Sequence, residues 1–188
     1  AESREEEAAR LAKEAKKRNK VKVEEAQALV NAITVTNDNA IGVAVAEFAV
    51  QFVGNPYVWG GSSLTNGADC SGFVQSIYKQ FGYELPRVSK DQAKSAGYCN
   101  VKPDLDHLLP GDLIFYTNKK GVVDHVAMYI GDGKIVHAAN KKDGIKVLYH
   151  FHCFEFIKFG KDMGIEIILN ETDPEFLLLN PDTHWIQS

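Results

Sequence analysis

Apolar residues change their spacing along this chain, and the changes divide it. Up to about residue 40 the sequence is a run of Glu, Lys, Arg and Ala with no aromatic residue, Gly or Pro, in which Leu11, Ala12 and Ala15 form only a thin apolar stripe. That pattern predicts a solvated helix joined to the domain rather than a coiled-coil stalk. Asn37-Asp38-Asn39 interrupts it and supplies capping residues, which places a boundary here. Beyond it, Ile41, Val45, Phe48, Phe52 and Val53 recur at helical spacing until Gly54-Asn55-Pro56 stops the run. Phe73, Val74, Ile77, Tyr78 and Phe81 repeat the spacing, with Gly82 placed as a stop, so a second core helix begins immediately after Asp69-Cys70-Ser71. Five short segments then read as strands: 113–116, 125–130, 135–138, 145–148 and 154–159, separated by Gly, Asn and Asp turns. Helices first and a meander of strands after predict an α+β fold with helices packed on an antiparallel sheet.

From Lys161 onward Asp162, Glu166, Glu171, Asp173, Glu175 and Asp182 face a single base, yet Ile165, Ile167, Ile168 and Phe176 to Leu179 suggest that part of this tail packs on the domain. The expected division is a charged helical segment over 1–40, a catalytic domain over 41–161 and an acidic extension over 162–188. With 188 residues, 45% of them hydrophobic, the chain has room for one core. A net charge of -4 argues against nucleic acid as the main partner. No apolar run approaches the roughly 18 residues that would span a bilayer. The N-terminus lacks the basic start and apolar stretch of a signal peptide, so none is expected in this chain, and the segment reads as a piece of a longer protein. Three cysteines are too few for a disulfide scaffold and lack CxxC pairing.

Candidate chemistry centres on Cys70. At the start of a helix, free N–H groups and the macrodipole favour a thiolate, so a depressed thiol pKa is expected. Position alone is equally compatible with a buried structural cysteine, but the neighbours Ala68, Asp69, Ser71 and Gly72 are small or polar. Gly60, Gly61, Gly67 and Gly72 leave the backbone bare enough for a substrate to approach. A nucleophilic cysteine needs a base and a group to orient it. His125 opens one strand and His137 lies near the end of the next, and the Asp132-Gly133 hairpin signal puts them toward the same end. Spacing leaves three readings open for that pair: catalytic couple, metal ligands or ordinary polar residues. His150, His152 and Cys153 match no established zinc pattern, Cys99 and Cys153 are a disulfide candidate in an extracellular setting, and His107 and His184 read as surface residues.

Six ordered motifs go further. Asn55-Pro56-Tyr57-Val58-Trp59-Gly60-Gly61, Asp69-Cys70-Ser71-Gly72-Phe73-Val74, Leu85-Pro86-Arg87-Val88-Ser89, Pro110-Gly111-Asp112-Leu113-Ile114-Phe115, His125-Val126-Ala127-Met128-Tyr129-Ile130-Gly131 and Ile135-Val136-His137-Ala138 resemble the motifs of the NlpC/P60 cell-wall cysteine peptidases. The resemblance covers roughly residues 41 to 161 and implies a reduced papain-like α+β domain. It implies Cys70 as nucleophile, His125 as general base and His137 as the orienting residue, with Tyr57 near the nucleophile and Asp69 and Ser71 holding the end of the bound peptide. Arg87 and Ser89 are read as loop-holding residues and Pro110-Gly111-Asp112 as the turn into the first strand. Ala127 stands where the family often has Gly.

Such a resemblance implies an extracellular or wall-associated peptidoglycan hydrolase, a monomer that cleaves stem peptides, most simply between the γ-carboxyl of D-glutamate and a diamino acid. It implies no metal and no organic cofactor. The rival readings are a wall-binding module without activity, a metal-dependent hydrolase built on Cys70, His125 and His137, and a papain-like amidase or acyltransferase working on another amide.

Overall fold

A computed structural model describes residues 4–36, 39–95 and 107–151, together with the backbone of 158–159, 162–163 and 178–181. Four helices are present among them: α1 (Arg4–Asn31), α2 (Ala40–Val50), α3 (Cys70–Gln80) and α4 (Ser89–Ser95). A two-stranded hairpin, β1 (Ser62–Ser63) and β2 (Gly67–Ala68), precedes α3. The main sheet follows: β3 (Leu113–Thr117), β4 (Val123–Gly131), β5 (Lys134–Asn140) and β6 (Gly144–Phe151) pair antiparallel in chain order. β7 (Lys158–Phe159) pairs with β8 (Asp162–Met163), and β9 (Leu178–Pro181) adds to β6 as a parallel edge strand. The expected strand over 154–159 falls mostly outside the described residues.

Strand alternation sorts the sheet's two faces. Val126, Met128 and Ile130 of β4, Val136 and Ala138 of β5, and Ile145 and Val147 of β6 join one core with Val43, Ala46 and Val50 of α2 and Phe73, Val74 and Ile77 of α3. Ile114, Ala127, Tyr129, Ile135 and Leu148 form a smaller cluster on the other face, with Leu108 and Tyr116 packed against it. The Tyr78 hydroxyl donates to the Gly111 carbonyl and ties α3 to the turn that opens β3.

The helical periodicity located α2 and α3 but not every buried side chain. Ile41, read as a core position, is 60% exposed; Val43, Val45, Ala46, Ala49 and Val50 carry that helix's burial instead. The first helix also differs from the expectation of a solvated segment. Leu11 is exposed, whereas Ala26 and Val30 are buried in the main core, Val23, Leu29 and Ile33 pack against it, and Asn19 donates to the Gly54 carbonyl. Val23, Ala26, Val30 and Ile33 recur every three or four residues and so share a face, which the charged composition around them obscured.

Candidate active site

Local sequence builds the Cys70 side. Asp69 has extended backbone and its carboxylate accepts from the Gly72 N–H, capping α3 so that Cys70 is the helix's first residue. The same carboxylate accepts from the Gly60 N–H at 2.9 Å, from the Ser71 hydroxyl at 3.3 Å and from both terminal nitrogens of Arg87 at 2.9 and 2.8 Å. Arg87 also donates to Ser71 Oγ and to the Gly61 carbonyl, so one guanidinium clips the loop before the helix, the helix start and the segment that follows it. Burial alone would raise the Asp69 carboxyl, but the Arg87 hydrogen bonds and the Gly72 and Gly60 amides outweigh it and hold the group below the ordinary carboxylate range.

Asp69 and Ser71, expected to hold a bound peptide, are only 8% and 5% exposed and spend their hydrogen bonds on these protein groups. Two of the glycines are held by close packing. A Cβ on Gly72 would lie 2.1 Å from the Gly61 carbonyl oxygen and one on Gly61 2.5 Å from that of Gly67, so these two serve close backbone packing, whereas Gly60 faces open space. The loop-holding reading of Arg87 agrees with its contacts. Ser89 is buried and opens α4. Gln92 on α4, which no motif singled out, is buried and donates to the Ser71 and Pro86 carbonyls. A polar residue three positions into a short helix was the available signal.

Tyr57 lies beside this clip: residues 56–58 run next to Ala68, with the Val58 N–H donating to the Ala68 carbonyl. Burial raises the Tyr57 phenol, and the proximity of Cys70 and Asp69 adds to that, so it stays protonated at neutral pH.

Two neighbouring strands bring the histidines together. Nε2 of His125 and Nδ1 of His137 are 2.6 Å apart, and the rings meet edge to face with centroids at 4.9 Å. The β4–β5 ladder runs from Met128↔Val136 to Gly131↔Lys134 and is not paired at Val126. Val126, the residue that follows His125, is buried in the same core cluster as Cys70, and its amide is one of the groups that act on the thiol. Burial pushes the Cys70 thiol up, Asp69 adds to it, and the amides of Val126, Ser71 and Cys70 itself oppose it without prevailing. The depressed thiol expected from the helix start is therefore not found, because desolvation outweighs the N–H groups. Burial also lowers His125, against the pull of Asp124. It drives His137, with His125 and Lys146 nearby, down to about 3. The resting site is thus a neutral thiol beside two neutral imidazoles that share one hydrogen bond.

His107 is exposed. His150 and His152, Cys99, Cys153 and His184 lie outside the residues whose side chains are described, and with them the disulfide reading.

A family model described as the NlpC/P60 family matches residues 54–154, more than half of the chain. A gamma-D-glutamyl-L-lysine dipeptidyl-peptidase of Bacillus cereus is 43% identical over 100 residues, 52% of this chain and 28% of that protein. A Bacillus subtilis protein of the same name is 38% identical over 120 residues, 63% of this chain and 39% of its own length. The chain therefore spans well under half the length of these relatives. Among solved structures, the peptidoglycan hydrolase RipB of Mycobacterium tuberculosis aligns with a TM-score of 0.50 at 32% identity, covering 63% of this chain and 62% of RipB. The chain belongs to the NlpC/P60 family.

Proposed function

Taking that membership as the premise, we propose that the protein is a cysteine endopeptidase that cleaves peptidoglycan stem peptides at the bond between the γ-carboxyl of D-glutamate and a diamino acid. The observation that carries the chemistry is the 2.6 Å contact between His125 and His137, with Val126, the next residue after His125, buried in the same core cluster as Cys70. The choice of bond is supported by the two relatives named for γ-D-glutamyl-L-lysine. The site is assembled from one chain's own residues, which supports action as a monomer. The named activities of the relatives support a place of action at the cell wall.

In this reading Cys70 is the nucleophile. Nε2 of His125 is engaged with His137, so Nδ1 is the nitrogen free to take the thiol proton. Sulfur attacks the peptide carbonyl as that proton moves, and the oxyanion takes the Cys70 N–H at the helix start and the protonated Tyr57 phenol. His125 then protonates the leaving amine, an acyl-enzyme remains, and water activated by the same imidazole releases it. His137 accepts from His125 throughout and holds it in place. Asp69, Ser71 and Arg87 fix the loop and helix start, and Asp69 and Ser71 also hold the end of the bound peptide.

Digestion of purified peptidoglycan, with mass analysis of the fragments, tests the reading. New amino termini on the diamino acid are expected; intact stem peptides would overturn it. Thiol alkylation should abolish activity and a chelator should leave it, whereas a metal hydrolase would lose activity to the chelator. We place the folding unit at 41–161 together with the second half of α1. A chain starting at Lys20 should keep turnover, while one starting at Asn39 should lose stability, because it uncovers the faces that Ala26 and Val30 cover.

A further inference from the structure

We propose that Tyr116 is a positioning residue whose ring, together with His137 on the other side, fixes the orientation of the His125 imidazole; the proposal rests on the reading of His125 as the base. Tyr116 stands directly opposite His125 in the β3–β4 ladder. Their ring centroids are 5.7 Å apart with the planes tilted by 47°. With His137 at 4.9 Å across β5, His125 is held between two rings from two different strands.

The backbone makes such support necessary. Register shifts at this point from Tyr116↔His125 to Thr117↔Val123, which leaves Asp124 without a ladder partner. A bulge of this kind bends the strand and re-aims the side chain beside it, but it also removes ladder support next to the residue that must be placed. The hydrogen bond to His137 fixes one nitrogen and leaves the imidazole free to pivot about that contact. Both imidazoles are neutral in the resting site, so no ion pair restrains the pivot. Packing does, and Tyr116 is anchored for it by the second cluster, against which it packs. The phenol oxygen has no part in this argument, so a benzene ring should serve as well.

Among the described residues, the groups that face His125 are Tyr116 on β3, Asp124 on its own strand and His137 on β5. Tyr116→Leu keeps apolar bulk and removes the ring; Tyr116→Phe keeps the ring. For the leucine variant kcat on a stem tetrapeptide should fall about 3- to 10-fold, the scale of one aromatic contact, with KM changed less than about twofold. The His125 titration, followed by NMR of ring-labelled histidine in the same variant, should move up toward its ordinary value as one desolvating wall is lost. The phenylalanine variant should match the wild type on both readouts. A folded leucine variant with unchanged kcat and unchanged titration overturns the proposal, as does a phenylalanine variant equally impaired. If the wild type cleaves no stem peptide, the functional reading fails, and the titration of the two variants still decides whether Tyr116 holds the ring.

Discussion

The two halves of the site are held by opposite physics. On the helix side Asp69 and Arg87 form a charged pair at 2.8 Å whose carboxylate takes further bonds from Ser71, Gly60 and Gly72. On the sheet side His125 and His137 carry no charge at neutral pH, share one hydrogen bond and are placed by packing. His137 Nε2 is buried without a hydrogen-bond partner among the described residues. In the proposed reading the nucleophile's backbone is thus clamped electrostatically, while the base is kept neutral by desolvation. Desolvation keeps the base unprotonated at rest at some cost in proton affinity, and a saturated salt bridge suits a helix start that must not move.

The largest break in this contrast should come from removing the atoms proposed to react. Cys70→Ala and His125→Ala should each bring turnover to near background, and the double variant should cost little more than either, because the two act as one unit. Additive losses would separate them. His137→Ala should cost less, about 10²-fold, since it removes orientation and leaves the base present. His137→Asn should recover part of that loss through its amide oxygen. Should a folded His137→Ala be as inert as Cys70→Ala while His125→Ala stays active, base and orienter would exchange roles.

Breaking the charged half should register in stability first. Arg87→Met strands a largely buried carboxylate, but the guanidinium is about one-third exposed and partly screened, so the expected loss is about 1–3 kcal/mol, read as a fall in Tm. Double replacement by Asp69→Asn and Arg87→Met should cost less than the sum of the single changes, since no charge is then left unpaired.

Acidification should separate the halves. His137 titrates near 3 when folded and near 6.5 when unfolded, so below about pH 6.5 the unfolded chain binds the extra proton. Stability is lost as pH falls from there toward 3, with a slope of up to about 1.4 kcal/mol per pH unit. Asp69, whose folded pKa is depressed, contributes its share above the ordinary carboxylate range and loses it only as pH drops through its folded value. Chemical denaturation at a series of pH values should therefore show a loss beginning between pH 6.5 and 5 that His137→Asn diminishes. The smallest effect concerns the thiol. Because burial holds Cys70 in its neutral form, thiolate absorbance and the alkylation rate should climb only above the range in which an ordinary thiol ionises. Fast alkylation at pH 6 would mean that an ion pair, not a neutral pair, is the resting state.

Local sequence determined much of this protein by itself. Helical spacing located α2 and α3, the run from Asp69 announced a capped helix start, and the Asp132-Gly133 turn set the hairpin that brings His125 and His137 to one end. These are short-range effects: periodicity, capping and turn geometry depend on residues a few positions apart. The short β1–β2 hairpin had such a signal too, in Asn66-Gly67, although no strand was expected there. Other features depended on residues far apart in the chain. The Arg87 clip joins positions 60, 61, 69, 71 and 87, the bulge at Asp124 is defined only by pairing with β3, and Tyr116 meets His125 only through that register. Burial was decided in the same way. Whether Cys70 sits low or high in pKa depends on how much water the packed sheet and helices exclude, and this outweighed the helix-start effect that sequence position alone suggested. Desolvation is set by the sum of everything that surrounds a group, which no stretch of neighbouring residues contains.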